Sequence, residues 1–142
     1  QGAWLWKLET IRRSGQGSTY AALTAGFEYT VSGLLDSGID LGLLAEYLYD
    51  DRGINATTTF QDDIFAGVRL SFNDVASAEV LFGIYADRDS DAHIANLEAS
   101  RRLGKSTRLT LEARWFSDIP ATDLLYSQRR DDYVQLELAY YF

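Results

Sequence analysis

The chain has 142 residues, no cysteine, one proline and a formal net charge of −8. That length suits one domain spanning 1–142, and the missing cysteine excludes a disulfide framework and any cysteine-based metal site. The acidic balance argues against nucleic acid as a partner, and no run of about 18 apolar residues exists to form a transmembrane helix. Hydrophobic residues make up 46% of the chain, a share common to water-soluble domains and to chains whose strands turn one face to lipid and the other to a polar interior.

Eight segments alternate between apolar and polar residues with a period of two, the pattern of strands whose two faces meet different surroundings. The first, about 3–13, begins almost at once with Ala3, Trp4, Leu5 and Trp6, as expected of a mature chain after cleavage or of a piece of a longer one. It ends in a Ser/Gly-rich turn at 14–18, and the second segment, about 19–31, ends in a turn over 32–38. The third, about 39–50, precedes a long polar stretch at 51–62, and the fourth, about 63–72, is closed by Asn73 and Asp74. The fifth, about 77–87, the sixth, about 93–103, and the seventh, about 107–116, are separated by 88–92 and by Gly104, Lys105 and Ser106. The link 117–131 then leads to the terminal segment 133–142. Each segment is near the ~9–11 residues that a tilted strand needs to cross a bilayer. Segments 41–49 and 94–103 also hold good helix formers. Helices there would leave the neighbouring strands unpaired, so the pattern favours strands throughout.

The two faces differ sharply. One carries Leu8, Leu23, Leu43, Val68, Phe82, Leu97 and Leu111 with the aromatic residues Trp4, Trp6, Phe27, Tyr29, Tyr47, Tyr49, Phe72, Trp115, Tyr140 and Phe142. The other carries Lys7, Glu9, Glu28, Glu46, Arg69, Glu79, Glu98, Arg102, Arg108, Glu112, Arg114 and Glu137. With strand directions alternating, Trp4, Trp6, Phe27, Tyr29, Phe72, Tyr140 and Phe142 fall at one set of strand ends. Tyr47, Tyr49 and Trp115 fall at the other. Two aromatic girdles bounding an aliphatic band are what membrane–water interfaces favour, whereas a soluble lipocalin-like barrel would turn its apolar face inward. Arg101 interrupts the apolar face near a strand end, where it can snorkel. Long links between segments three and four and between seven and eight, with shorter ones after segments two, four and six, fit long outer loops and short periplasmic turns; the short link between segments one and two, on the outer side, is an exception.

The terminal strand alternates Val134, Leu136, Leu138, Tyr140 and Phe142 with Gln135, Glu137 and Ala139. It resembles the C-terminal assembly signal of Gram-negative outer-membrane proteins, with Gln135 at the polar position and Tyr140 and Phe142 at the aromatic ones. Glu137 stands where that signal has glycine. The resemblance implies the bacterial outer membrane as location, its lipid and lipopolysaccharide as surroundings, and recognition by the barrel-assembly machinery during biogenesis.

In an eight-stranded barrel the interior is filled by side chains. The twelve inward charges are therefore expected to form a paired network, since buried charges must be paired. A conducting lumen with acidic bias would need more strands. His93, the only histidine, lies beside Ser90 and Asp91, the residue types of a lipid hydrolase, although a triad is defined by geometry rather than adjacency. Asp87, Asp89, Asp91 and Glu98 imitate a calcium loop, but Ala92 replaces the required glycine and strands replace the flanking helices. Further aspartates, among them Asp50, Asp51, Asp62, Asp63, Asp131 and Asp132, gather at outer strand ends, where solvated loop ends compete with divalent-cation binding.

The expected fold is an all-β, antiparallel, up-and-down transmembrane β-barrel of eight strands. The expected role is a non-enzymatic integral outer-membrane barrel without cofactor or metal. The alternatives are the C-terminal strands or a protomer of a wider porin-like channel for small polar solutes, and an outer-membrane lipid hydrolase.

Overall fold

The computed structural model describes residues 2–15 and 17–142; Gln16, in the first expected turn, lies outside the described residues. Eight strands form one sheet: β1 (Gly2–Arg13), β2 (Tyr20–Val31), β3 (Asp40–Asp50), β4 (Asp62–Ser71), β5 (Glu79–Asp87), β6 (His93–Leu103), β7 (Thr107–Ser117) and β8 (Tyr133–Tyr140). The spatial order is the chain order and neighbours are antiparallel, so every connection is a hairpin. Both segments with helical propensity are strands, β3 and β6. Pairing on two sides satisfies their backbone groups and overrides a weak local preference. Short 3-10 turns occupy the links at Leu34–Asp36, Gly53–Asn55 and Leu124–Gln128.

Register carries the period-two pattern across the sheet. Trp6 pairs with Phe27, which pairs with Ala45, then Ala66, Ile84, Ala95 and Trp115 in turn. The charged positions align in the same way: Lys7 with Gly26 and Glu46, and Asn96 with Arg114. Each face is thus continuous over all eight strands, because a one-residue slip anywhere would interleave charge with aliphatic carbon.

Burial differs between the two faces. On the central strands the apolar face is open, with Ile64 44%, Phe82 41% and Ile84 38% exposed. Most buried strand positions are on the charged face, where Gly42, Gly83, Ile94, Asp50 and Asp63 are buried, while Ala113 of β7 is buried on the apolar one. That face is the concave one. Side chains there reach across an intervening strand, and the links after β3 and β7 fold over it to a shared cluster of Ile94, Ile119 and Ala92 with Phe60, Phe116 and Leu125.

Glycine makes room for these approaches. Gly67 and Gly83 are paired on β4 and β5, and the Phe65 ring lies over both. A Cβ on Gly67 would stand 2.9 Å from Phe65 Cζ, and one on Gly83 would run into the same ring. Paired strand glycines covered by an aromatic ring recover the packing that the missing side chains forgo.

The sheet is not closed. Among the described residues β1 pairs only with β2 and β8 only with β7, and both edge strands are exposed over nearly their whole length.

Candidate functional site

The charged concave face divides into two halves. Over β1–β4, ion pairs skip a strand. Lys7 Nζ on β1 lies 3.2 Å from Glu46 Oε1 on β3, passing over Gly26, where a Cβ would come within 2.7 Å of Glu46 Cγ. Arg69 Nη1 on β4 lies 2.9 Å from Glu28 Oε1 on β2, above Gly42. The Glu28 side chain is only 14% exposed, so removing that partner would leave a largely buried carboxylate without an ion pair.

Over β5–β8 the charges are arranged differently. Arg108 donates to Ser100 Oγ at 2.9 Å and Arg114 Nε to Asn96 Oδ1 at 2.7 Å. Glu98 and Glu112 stand directly opposite each other on β6 and β7, a pairing of like charges that is unfavourable by itself. Among the described residues, Glu9, Glu79, Glu98, Arg102, Glu112 and Glu137 make no ion pair within 4.0 Å. The twelve charges expected to form one network share the concave face, and two ion pairs join four of them. The β7–β8 side has no β1 side chains opposite it while the sheet is open.

At the loop end of the concave face lies a cavity of about 340 Å3. Its walls are largely aromatic: Phe60 and Tyr85 stack at 4.5 Å, and Phe65 lies 4.7 Å from Tyr85. Phe116 and Ile94 rise from β7 and β6, and Leu125 comes from the long β7–β8 link. Asn96, Glu98 and Arg114 from the strands and Thr59 and Gln128 from the links supply the polar part of its lining. Period-two alternation assigns Phe65, Ile94 and Phe116 to the charged face without marking them as a group. The available signal was bulky apolar residues at inward positions near the loop ends of β4, β6 and β7, together with Phe60, Ile119 and Leu125 in the links.

The loop-end aspartates are engaged with their own links. Asp50, 3% exposed, receives Arg52 in a fork, Nε at 2.9 Å and Nη2 at 2.6 Å, while the guanidinium lies 3.7 Å from the Tyr20 ring. Asp51 accepts from the Ala21 N–H, Asp63 from Gln61, Asp132 from Phe116 and Asp123 from Leu125. Asp62 receives Arg88 at 2.9 Å and the Tyr47 hydroxyl at 2.7 Å. Hydrogen bonding to Asp50 and to Asp62 raises the Arg52 and Arg88 pKa values above the ordinary guanidinium value, fixing both charges. Among the described residues no group of three or more metal-ligating side chains converges.

Ser90 donates its hydroxyl to Asp87 at 2.8 Å and accepts the Ala92 N–H at 3.2 Å, whereas His93 Nδ1 is 2.7 Å from the Asp91 carbonyl. Ser90 and His93 are therefore drawn to different partners. The calcium-like pattern does not converge either: Asp87 caps the β5–β6 turn through the Asp89 N–H, and Glu98 lies on the concave face beside Leu81.

The aromatic residues of the apolar face form clusters. Trp4 stacks on Trp6 at 5.8 Å and meets Tyr29 at 4.5 Å, and Phe27 touches both tryptophans at 5.5 Å. Tyr47 and Tyr49 lie 6.3 Å apart toward the loop end. Tyr140 and Phe142 are exposed, and Gln135 pairs with Glu112 on the concave side. The chain matches no protein-family model, no curated protein and no solved structure.

Proposed function

We propose that the chain is an integral outer-membrane β-barrel without enzymatic activity, closed by pairing β8 with β1 and filled by its charged face. One observation carries this reading. The apolar side chains of the central strands, including Leu43, Val68, Phe82 and Ile84, lie on the exposed face, while ion pairs and buried glycines occupy the sheltered one. Water disfavours an apolar face continuous over eight strands, whereas hydrocarbon accommodates it. Backbone crossing hydrocarbon must also satisfy every N–H and C=O, so a membrane sheet has to close. Pairing the two edges places even-numbered residues beside even-numbered ones and continues both faces.

The open edges also favour a second reading, in which these strands are the C-terminal part or a protomer of a wider porin-like channel for small polar solutes. Planar-bilayer recording separates the two. A silent, heat-modifiable, detergent-soluble monomer supports the filled barrel. Discrete nanosiemens-scale openings reject it in favour of the channel, and full solubility without detergent rejects both.

A further inference from the structure

The aromatic cavity and a second, more polar cavity beneath it meet at Leu81 and Glu98, which line both. The upper cavity, about 340 Å3, is within the range of roughly 300–1,000 Å3 typical of small-molecule sites. It has the make-up of such a site: rings for an apolar body and a few polar groups, with Glu98 its acidic one. Phe60 stacks on Tyr85 and Phe65 tilts against the same ring, Phe116 stands on β7, and Leu125 lines the space from the link.

The charge at its inner side sets the kind of ligand. Glu98 has no cationic partner within 4.0 Å among the described residues, and Glu112 stands directly across from it, adding a second negative charge. Arg114, the cation of the upper lining, is tied by its Nε to Asn96 and lies 6.0 Å from the Tyr133 ring, on the β8 side; Arg69 and Arg108, which line the lower cavity with Glu98, are held by Glu28 and Ser100, each at 2.9 Å. Rings surrounding the body add attraction for a cation through their π faces.

We propose that this cavity binds small amphipathic organic cations, the apolar body among Phe60, Phe65, Tyr85 and Phe116 and the ammonium at Glu98. The rings and Glu98 are carried by β4–β7 and the two long links.

The test is a 19F NMR titration of the folded full chain, in a neutral maltoside micelle or in buffer, with 4-fluorophenethylammonium. 4-Fluorophenylacetate and 4-fluorophenethyl alcohol serve as the anionic and neutral probes of the same body. The ammonium should bind at least ten-fold more tightly than the acetate, with the alcohol between them. Glu98→Gln should remove that preference, and Glu137→Gln on β8 should leave it unchanged. Arg114→Gln should tighten the ammonium several-fold, an opposite-signed effect that still reports should Glu98→Gln fail to fold. Equal binding of all three probes overturns the proposal. So does a preference for the acetate, an Arg114→Gln variant that weakens the ammonium, or no binding by protein whose folding circular dichroism has verified. Folded protein that binds no probe rejects the cavity alone. Protein that binds yet proves soluble without detergent rejects the membrane reading alone.

Discussion

Closing the sheet has a register that can be worked out beforehand. Along lines of paired residues, Gly2 leads through Val31, Leu41, Leu70, Val80, Ala99 and Leu111 to Leu136. In a closed barrel Leu136 meets β1 not at Gly2 but further along, by the stagger. For eight strands tilted about 40°, with a rise of about 3.3 Å and a spacing of about 4.8 Å, the stagger is about ten residues. It must be even, or the apolar face of β8 would abut the charged face of β1. A stagger of ten sets Leu136 opposite Arg12, Tyr140 opposite Leu8 and, on the charged face, Ala139 opposite Glu9. The same stagger would separate the two expected aromatic girdles. Trp6, Phe27 and Trp115 share one pairing line in the open sheet, and closure would lift Trp115 about seven residues above Trp6.

The chain has no cysteine, so Glu9→Cys with Ala139→Cys places one reactive pair where closure is expected. Opposed residues have Cα atoms about 4.5–5.5 Å apart, within disulfide range, and a two-residue slip lengthens that to about 8 Å, outside it. The 9/139 pair should therefore oxidise within one molecule, giving a fast-migrating band on non-reducing denaturing gels. The 9/137 and 9/141 pairs should oxidise far less. A loop of roughly 130 residues closed in this way should add about 5 kcal/mol on the chain-entropy account. Faster cross-linking at 9/137 or 9/141 would refute the stagger. Cross-links only between molecules would refute closure of a single chain.

Three further outcomes follow from the packing. Gly83→Val drives a side chain into the Phe65 ring and should cost about 1–3 kcal/mol in a urea-unfolding measurement; Phe65→Ala introduced beside it should restore part of that loss. Arg52→Ala strips the 3%-exposed Asp50 of its fork and should cost about 3 kcal/mol. Arg52→Lys should recover only part, because a lysine cannot reproduce two parallel N–H bonds. Arg69→Ala leaves Glu28 without its 2.9 Å partner and should cost about 1–2 kcal/mol; the exchanged pair Glu28→Arg with Arg69→Glu should recover more than half, read by the same unfolding curves.

The alternation of apolar and polar residues determined most of the fold. Strand ends came within about two residues of their observed positions, because a period of two ends where glycine, serine and aspartate interrupt it. The sides on which Trp6, Leu43, Glu28 and Arg69 stand were legible for the same reason: antiparallel pairing preserves parity across every hairpin. What alternation could not decide is how far apart two residues on the same face lie. That Glu28 reaches Arg69 over Gly42 while Glu98 faces Glu112 depends on register and curvature. Likewise, Phe60 and Leu125, separated in sequence by four strands, reach one cluster only because the sheet bends and both long links fold over its concave side. The sequence set the chemistry of each face; the curvature of the sheet decided which members of a face meet.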